Sequence, residues 1–193
     1  MRFGSPTRQN VVSKEEKEDR LKSFVSEHLA AAKAAGTAHE LTYRLLALST
    51  ESPAARALGA LAAELAESGV AVQIVLARRS ETAVCDGAES RFVTDLRLLD
   101  AHEQLVLDDA TVWIGDCMRR DPLRRDTYEQ YSDKCSATAA RAGRSFAQIW
   151  RAAGPSGSLA AGRRLAPVRH TPLFDPSLIA GADAAPAPAL LRH

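Results

Sequence analysis

The chain has 193 residues, with 25 Lys and Arg against 24 Asp and Glu and a formal charge of +1 at pH 7, a size for one domain or for one domain with a tail. Near neutrality removes any global field that would draw in nucleic acid or a membrane surface, so a phosphate ligand requires a local basic patch. Charged residues at 25% and apolar residues at 46% exclude wholesale disorder, and the longest apolar runs, such as Val70 to Ala77, fall short of the roughly 18–20 residues of a membrane helix.

Arginine outnumbers lysine 20 to 5, so each Lys, and each missing Lys, stands out. Met1 to Ser13 has two Arg with no apolar core behind them, which does not read as a secretory signal. Cys85, Cys117 and Cys135 are odd in number and far apart. They read as reduced thiols of a cytoplasmic protein, and their spacing excludes a disulfide scaffold or a paired zinc knuckle.

Residues 1–12 are polar and expected to be flexible. Ser13 and Glu16 form a capping box that opens the first helix. Leu21, Phe24, Val25 and Leu29 make its apolar stripe, with the Lys, Glu and Asp positions facing water, and Gly36 stops it. Leu41 to Ser49 is a short apolar run between polar breaks, expected as a buried strand. Ser52-Pro53 starts a second helix, with Leu58, Leu61 and Leu65 inward, and Gly69 ends it. Val70 to Ala77 is a β-branched strand, which completes a parallel βαβ unit.

Ser80 to Arg91 reads as a polar connection. Three short strands are expected after it, at Asp95 to Leu99, Glu103 to Leu107 and Thr111 to Gly115, with Asp108-Asp109 suited to a tight hairpin between the last two. Arg119 to Arg125 (RRDPLRR) is a basic loop. A long helix is expected from about Arg124 to Ala152, its stripe running through Tyr128, Tyr131, Cys135, Ala139, Ala142, Phe146 and Ile149. Gly154-Pro155 ends it. Residues 154–193 are rich in Ala, Pro and Gly without a period, which reads as a disordered tail.

The informative stretch is His102 to Met118, HEQLVLDDATVWIGDCM. In a strand, His102 and Gln104 face one side. Asp109 follows at the turn, and Gly115-Asp116 closes the next strand.

This pattern resembles the phospholipase D superfamily, which carries His-any-Lys, four more residues, Asp, and then a strand ending in Gly-Ser with an Asn soon after. His102 and Asp109 match in identity and spacing. Gln104 stands where the family has Lys. Gly115 matches one residue early, Asp116 replaces the Ser, and Met118 falls where an Asn is often found. The helix and strand from Ser52 to Ala77, the strand before the His and the closing SFAQIW (Ser145 to Trp150) extend the resemblance over roughly Leu41 to Trp150.

The resemblance implies an α/β fold, a mixed β-sheet flanked by helices, over residues 13–153. It also implies a chemistry in which one His attacks phosphorus and forms a phospho-His, while a second His protonates the leaving group. Two Lys hold the phosphoryl oxygens. If the chain is active, His102 and Asp109 are the catalytic residues, and a homodimer is required because only one copy of the motif is present. The phosphate-binding candidates are His102, Gln104, Arg119 and Arg120, with Arg124 and Arg125 nearby in sequence. No metal and no cofactor are implied. A Cys117 thiol nucleophile and a His102, Asp109, Cys117 metal site are the remaining chemical alternatives, and Trp113 reads as packing.

Three functional readings follow. The first is a catalytically degenerate phospholipase D-like module that binds a phosphate-containing ligand or a protein partner. The second is a homodimeric phosphodiesterase, nuclease-like or lipid-directed. The third is a structural partner protein that assembles through its terminal helices.

Overall fold

The structure is a computed structural model, and it describes residues 13–78, 83–93, 95–119 and 129–155. Helix α1 (Lys14–Ala35) begins as its capping box requires, with the Glu16 N–H donating to Ser13 Oγ at 3.1 Å. The Glu16 carboxylate does not reach back to the cap; it pairs with Arg20 at 2.6 Å. Gly36, at φ 72°, ends the helix in the left-handed region that glycine enters without a Cβ clash.

Strand β1 (Thr42–Ala47) leads to helices α2 (Pro53–Ala60) and α3 (Ala62–Glu67), then to strand β2 (Ala71–Leu76). β1 and β2 are parallel, with Leu45 opposite Ile74, as the strand, helix, strand pattern requires. The single second helix expected between them is two, broken at Leu61 (φ −104°, ψ 6°). Gly59 weakens helical continuity there. It also lets the backbone pass the Val84 carbonyl at a distance where a Cβ would stand 2.8 Å from the oxygen.

The remaining strands are β3 (Glu89–Phe92), β4 (His102–Val106), β5 (Val112–Cys117), β6 (Gln130–Ser132) and β7 (Gly154–Pro155), with helix α4 (Ser136–Ala152) between the last two. Together they form a seven-stranded mixed sheet in the order β6-β5-β4-β1-β2-β3-β7. α1, α2 and α3 cover one face, packing on Tyr43, Leu45, Ile74, Leu105 and Trp113. α4 covers the other, where Phe146 and Ile149 meet Leu46, Leu48, Val75 and Met118, and Ala139 and Ala142 meet Val106, Val112 and Ile114. Strands buried on both faces read as apolar runs rather than alternating ones, which is why LTYRLLALS and VAVQIVLA were legible.

Four expectations are corrected. Asp95 to Leu99 is not a strand: Leu96–Asp100 is a 3-10 turn, and no β-branched residue in DLRLLD favours an extended chain. The polar connection contains β3, parallel to β2. Its sequence, ESRF, carries little apolar signal, and side-chain contacts hold it in place. The Arg91 guanidinium lies 4.0 Å over the Trp150 ring and donates to the Trp150 carbonyl at 2.8 Å, a cation at a helix C-terminus. The long helix starts at Ser136, not near Arg124, because Tyr131 sits in β6 and packs edge-on against Phe24 of α1 at 5.0 Å. Gly154-Pro155 not only ends α4 but pairs with β3. Tyr128 and the rest of the basic loop beyond Arg119 lie outside the described residues, as do residues 156–193.

Candidate functional site

β4 runs antiparallel to β1, placing Gln104 opposite Leu46. The start of β4 therefore meets the ends of β1 and β5, and His102 stands opposite Cys117. Crevices outside strand carboxyl ends are where open α/β sheets take ligands. The β4–β5 register shifts between His102 and Gln104, a bulge of the kind that re-aims side chains at the rim of a sheet.

His102 is half-buried, and its Nδ1 lies 2.7 Å from the Gly115 carbonyl. A carbonyl only accepts, so Nδ1 carries the proton, and in the neutral ring Nε2 holds the lone pair. Gly115 sits beneath the Trp113 ring, where a Cβ would stand 2.6 Å from Cζ2. The glycine of this stretch is thus demanded by packing.

Gln104 is 5% exposed, and its Nε2 donates to the Ala142 carbonyl of α4 at 3.2 Å. The amide ties the sheet to the helix. Glu103 faces the other layer: its Oε1 accepts from the Leu48 N–H at 3.0 Å and from Ser52 Oγ at 2.6 Å, joining β4 to the end of β1 and the start of α2. Asp116 pairs with Lys17 of α1 at 2.9 Å, the two side chains 4% and 3% exposed. Two ions taken out of water in this way lose hydration that their mutual attraction must recover.

Arg119 is exposed and bonded to Asp100 at 2.6 Å through Nε and 3.2 Å through Nη2. The Cys117 thiol donates to the Leu99 carbonyl at 3.4 Å. Asp109 is exposed in the β4–β5 turn, at the opposite end of β4 from His102 and about 15 Å or more away at roughly 3.3 Å per strand residue. The structure therefore sets His102 opposite Cys117, with Asp116 held by Lys17 and Arg119 by Asp100, and does not bring Asp109 to them. That separation removes the His102, Asp109, Cys117 metal arrangement, and no group of three or more His, Cys, Asp or Glu side chains among the described residues is placed to hold a metal. Arg120 lies outside the described residues.

The turn has its own chemistry. Asp108 Oδ1 accepts from the Ala110 and Thr111 N–H groups at 2.8 and 2.6 Å, and Oδ2 lies 2.8 Å from His28 Nε2. His28 Nδ1 in turn lies 2.8 Å from the Tyr43 hydroxyl. Burial pushes the Asp108 carboxyl up, but the bonds from His28 and the backbone outweigh it and hold the group below the usual carboxylate range.

Lys17, Asp116, Glu103 and Ser52 were not among the sequence-derived candidates. A signal existed for Lys17. It lies four residues before Leu21 on the stripe that continues through Val25 and Leu29, and all four are buried. A cation on an apolar stripe needs a buried partner, which corrects the expectation that every Lys of α1 faces water.

The chain matches no known protein family and no curated protein. Among solved structures it is similar to TrmBL2, an archaeal chromatin protein described as showing a novel mode of DNA binding, with 14% identity and a TM-score of 0.44. That match covers 74% of this chain and 63% of the other, so the chain spans less than two thirds of TrmBL2's length. It is also similar to NucT from Helicobacter pylori, with 12% identity and a TM-score of 0.46 over 74% of this chain and 92% of that one.

Proposed function

We propose that this chain is a non-catalytic phospholipase D-like domain, a binding or regulatory module with weak affinity for a phosphate group at the His102 end of its sheet. Gln104 carries the reading. The side chain that stands where the resembled family has Lys is buried and holds an α4 carbonyl, so it offers no charge to a ligand. Neutralising the equatorial oxygens is the central demand of phosphoryl transfer, and loss of a preorganised stabiliser costs on the order of 10²–10³ in rate. Among the described residues, Lys17 is matched by Asp116 and Arg119 by Asp100. Asp109, at the far end of β4, does not reach the imidazole.

His102 keeps what a binding site needs. Its ring is oriented by the Gly115 carbonyl and can meet one phosphate oxygen, as donor when protonated. The test is turnover of bis-p-nitrophenyl phosphate by the wild type and by His102→Ala. The reading expects both at the buffer background. Turnover by the wild type that disappears in His102→Ala sinks it.

A homodimeric phosphodiesterase is the second reading, and one observation favours it. With Nδ1 fixed on Gly115, Nε2 is the lone-pair nitrogen that a nucleophilic His presents. It requires two His102 rings facing one phosphate across a two-fold axis. A monomer at assay concentration removes it.

A further inference from the structure

The near-zero net charge hides an asymmetry between the two layers that cover the sheet. On the layer of α1, α2 and α3, cations and carboxylates pair with one another, Arg20 with Glu16, Lys22 with Glu18, Lys33 with Glu64 and Arg56 with Glu18. Among the described residues, the opposite layer is α4. Its sequence, SATAARAGRSFAQIWRA, contains three Arg and no carboxylate. Arg141, Arg144 and Arg151 are all exposed, and they face away from the buried stripe of Ala139, Ala142, Phe146 and Ile149. Arg44 of β1 lies on the same side of the sheet, since it shares a face with Leu46 by strand alternation.

We propose that the outer face of α4 docks on the phosphate backbone of a nucleic-acid duplex, independently of the His102 site. Charge complementarity supplies the argument. From Arg141 to Arg151 the stripe runs about 15 Å along the helix at 1.5 Å per residue, a length over which each duplex strand carries about four phosphates at one per 3.4 Å. Arginine's planar fork suits phosphate oxygens. Ala137 and Ala140 before the arginines and Ala147 among them are small and exposed, with Gln148 exposed beside Ala147, so little side-chain bulk keeps the helix from a backbone.

The same face disfavours other anionic partners. It presents no large apolar side chain to enter a lipid interface, because Phe146 is buried and Trp150 is stacked on it at 5.5 Å and covered by Arg91. It also lacks the aromatic anchors that centre a protein–protein interface.

The experiment is fluorescence anisotropy of a labelled 30-base-pair duplex with the full chain, across a salt series. It compares the wild type with Arg141→Gln/Arg144→Gln/Arg151→Gln and with the single Arg144→Glu at an exposed position. The proposal expects wild-type binding that weakens with salt and a log–log salt slope smaller by about 2–3 in the triple variant, at roughly 0.9 per lost phosphate contact. Arg144→Glu is expected to lose about one unit of slope. Arg56→Gln, on the opposite layer, is expected to bind as the wild type does, and because duplex binding is read here while diester turnover reads the His102 site, the two readings can fail separately. The proposal is overturned by no duplex binding at low salt, by variants with unchanged affinity and slope, or by equal binding to poly-glutamate or to phosphatidylserine vesicles.

Discussion

Lys17 and Asp116 lie 99 positions apart in the chain and meet at 2.9 Å, both nearly sealed from solvent. Their ion pair ties the first turns of α1 to the last residues of β5, next to the glycine whose carbonyl orients His102. The position where the resembled family carries Ser therefore serves here as an anchor for a helix.

Breaking that pair from one side leaves an unmatched buried charge, which typically costs about 3–5 kcal/mol. Lys17→Met and Asp116→Asn are each expected to lower the urea midpoint by a corresponding amount. The double variant Lys17→Met/Asp116→Leu is expected to recover most of the loss, because two apolar groups of similar volume carry no desolvation penalty. Chemical denaturation of the three variants checks this, and a double variant as unstable as the sum of the singles contradicts it.

Gly115→Ala places a methyl group in the space of the Trp113 ring, which is fully buried. Overpacking of this kind costs about 1–3 kcal/mol. Trp113 has to move, so its near-ultraviolet circular dichroism should change along with the loss of stability. An unchanged Trp113 signal and unchanged stability would mean that the ring does not lie over Gly115.

The Asp108 carboxyl is held below its ordinary value in the fold. A depressed carboxyl adds stability that is present above its unfolded pKa and is lost as pH falls through the folded value. The stability of the wild type relative to Asp108→Asn should therefore be constant above about pH 5 and shrink below about pH 4, the ordinary carboxylate range. Urea unfolding of both proteins from pH 6 to pH 2.5 reads the difference. A gap that widens on acidification contradicts the assignment.

Two of the three thiols should react in a fixed order. Hydrogen bonds from Thr138 and the backbone at the start of α4 lower the Cys135 pKa, whereas burial raises that of Cys85 to about 11. Only the thiolate is nucleophilic, so iodoacetamide at neutral pH should label Cys135 first and leave Cys85 intact in the folded protein. Mass spectrometry of timed aliquots checks the order, and early labelling of Cys85 would contradict the packing of α3 and β2 around it.

Legibility in this sequence followed the source of each signal. α1 was readable from Ser13 to Gly36 because its cap, stripe and stop are all local. β1, β2 and the β4–β5 hairpin were readable because apolar runs and an Asp108 turn are local too. β3 was not, since ESRF enters the sheet through its neighbours' backbones and through Arg91 packing on Trp150. The start of α4 was misplaced because Tyr131 fits the helical spacing while being pulled into β6 by Phe24. At the candidate site, His102 and Gln104 were visible as a strand pair. The roles of Glu103 and Asp116 depend on contacts across 51 and 99 residues, which no spacing encodes, whereas the place of Lys17 on the apolar stripe signalled its burial but not its partner.

The central claim is that His102 binds phosphate without turning a phosphodiester over. One ³¹P NMR series addresses both halves, with dimethyl phosphate incubated for days with the wild type and with His102→Ala. The account predicts broadening of the diester resonance by the wild type, less broadening by His102→Ala, and no monoester peak with either. A monoester peak that grows with the wild type and vanishes in His102→Ala would contradict it, and so would a diester resonance that the wild type leaves unchanged.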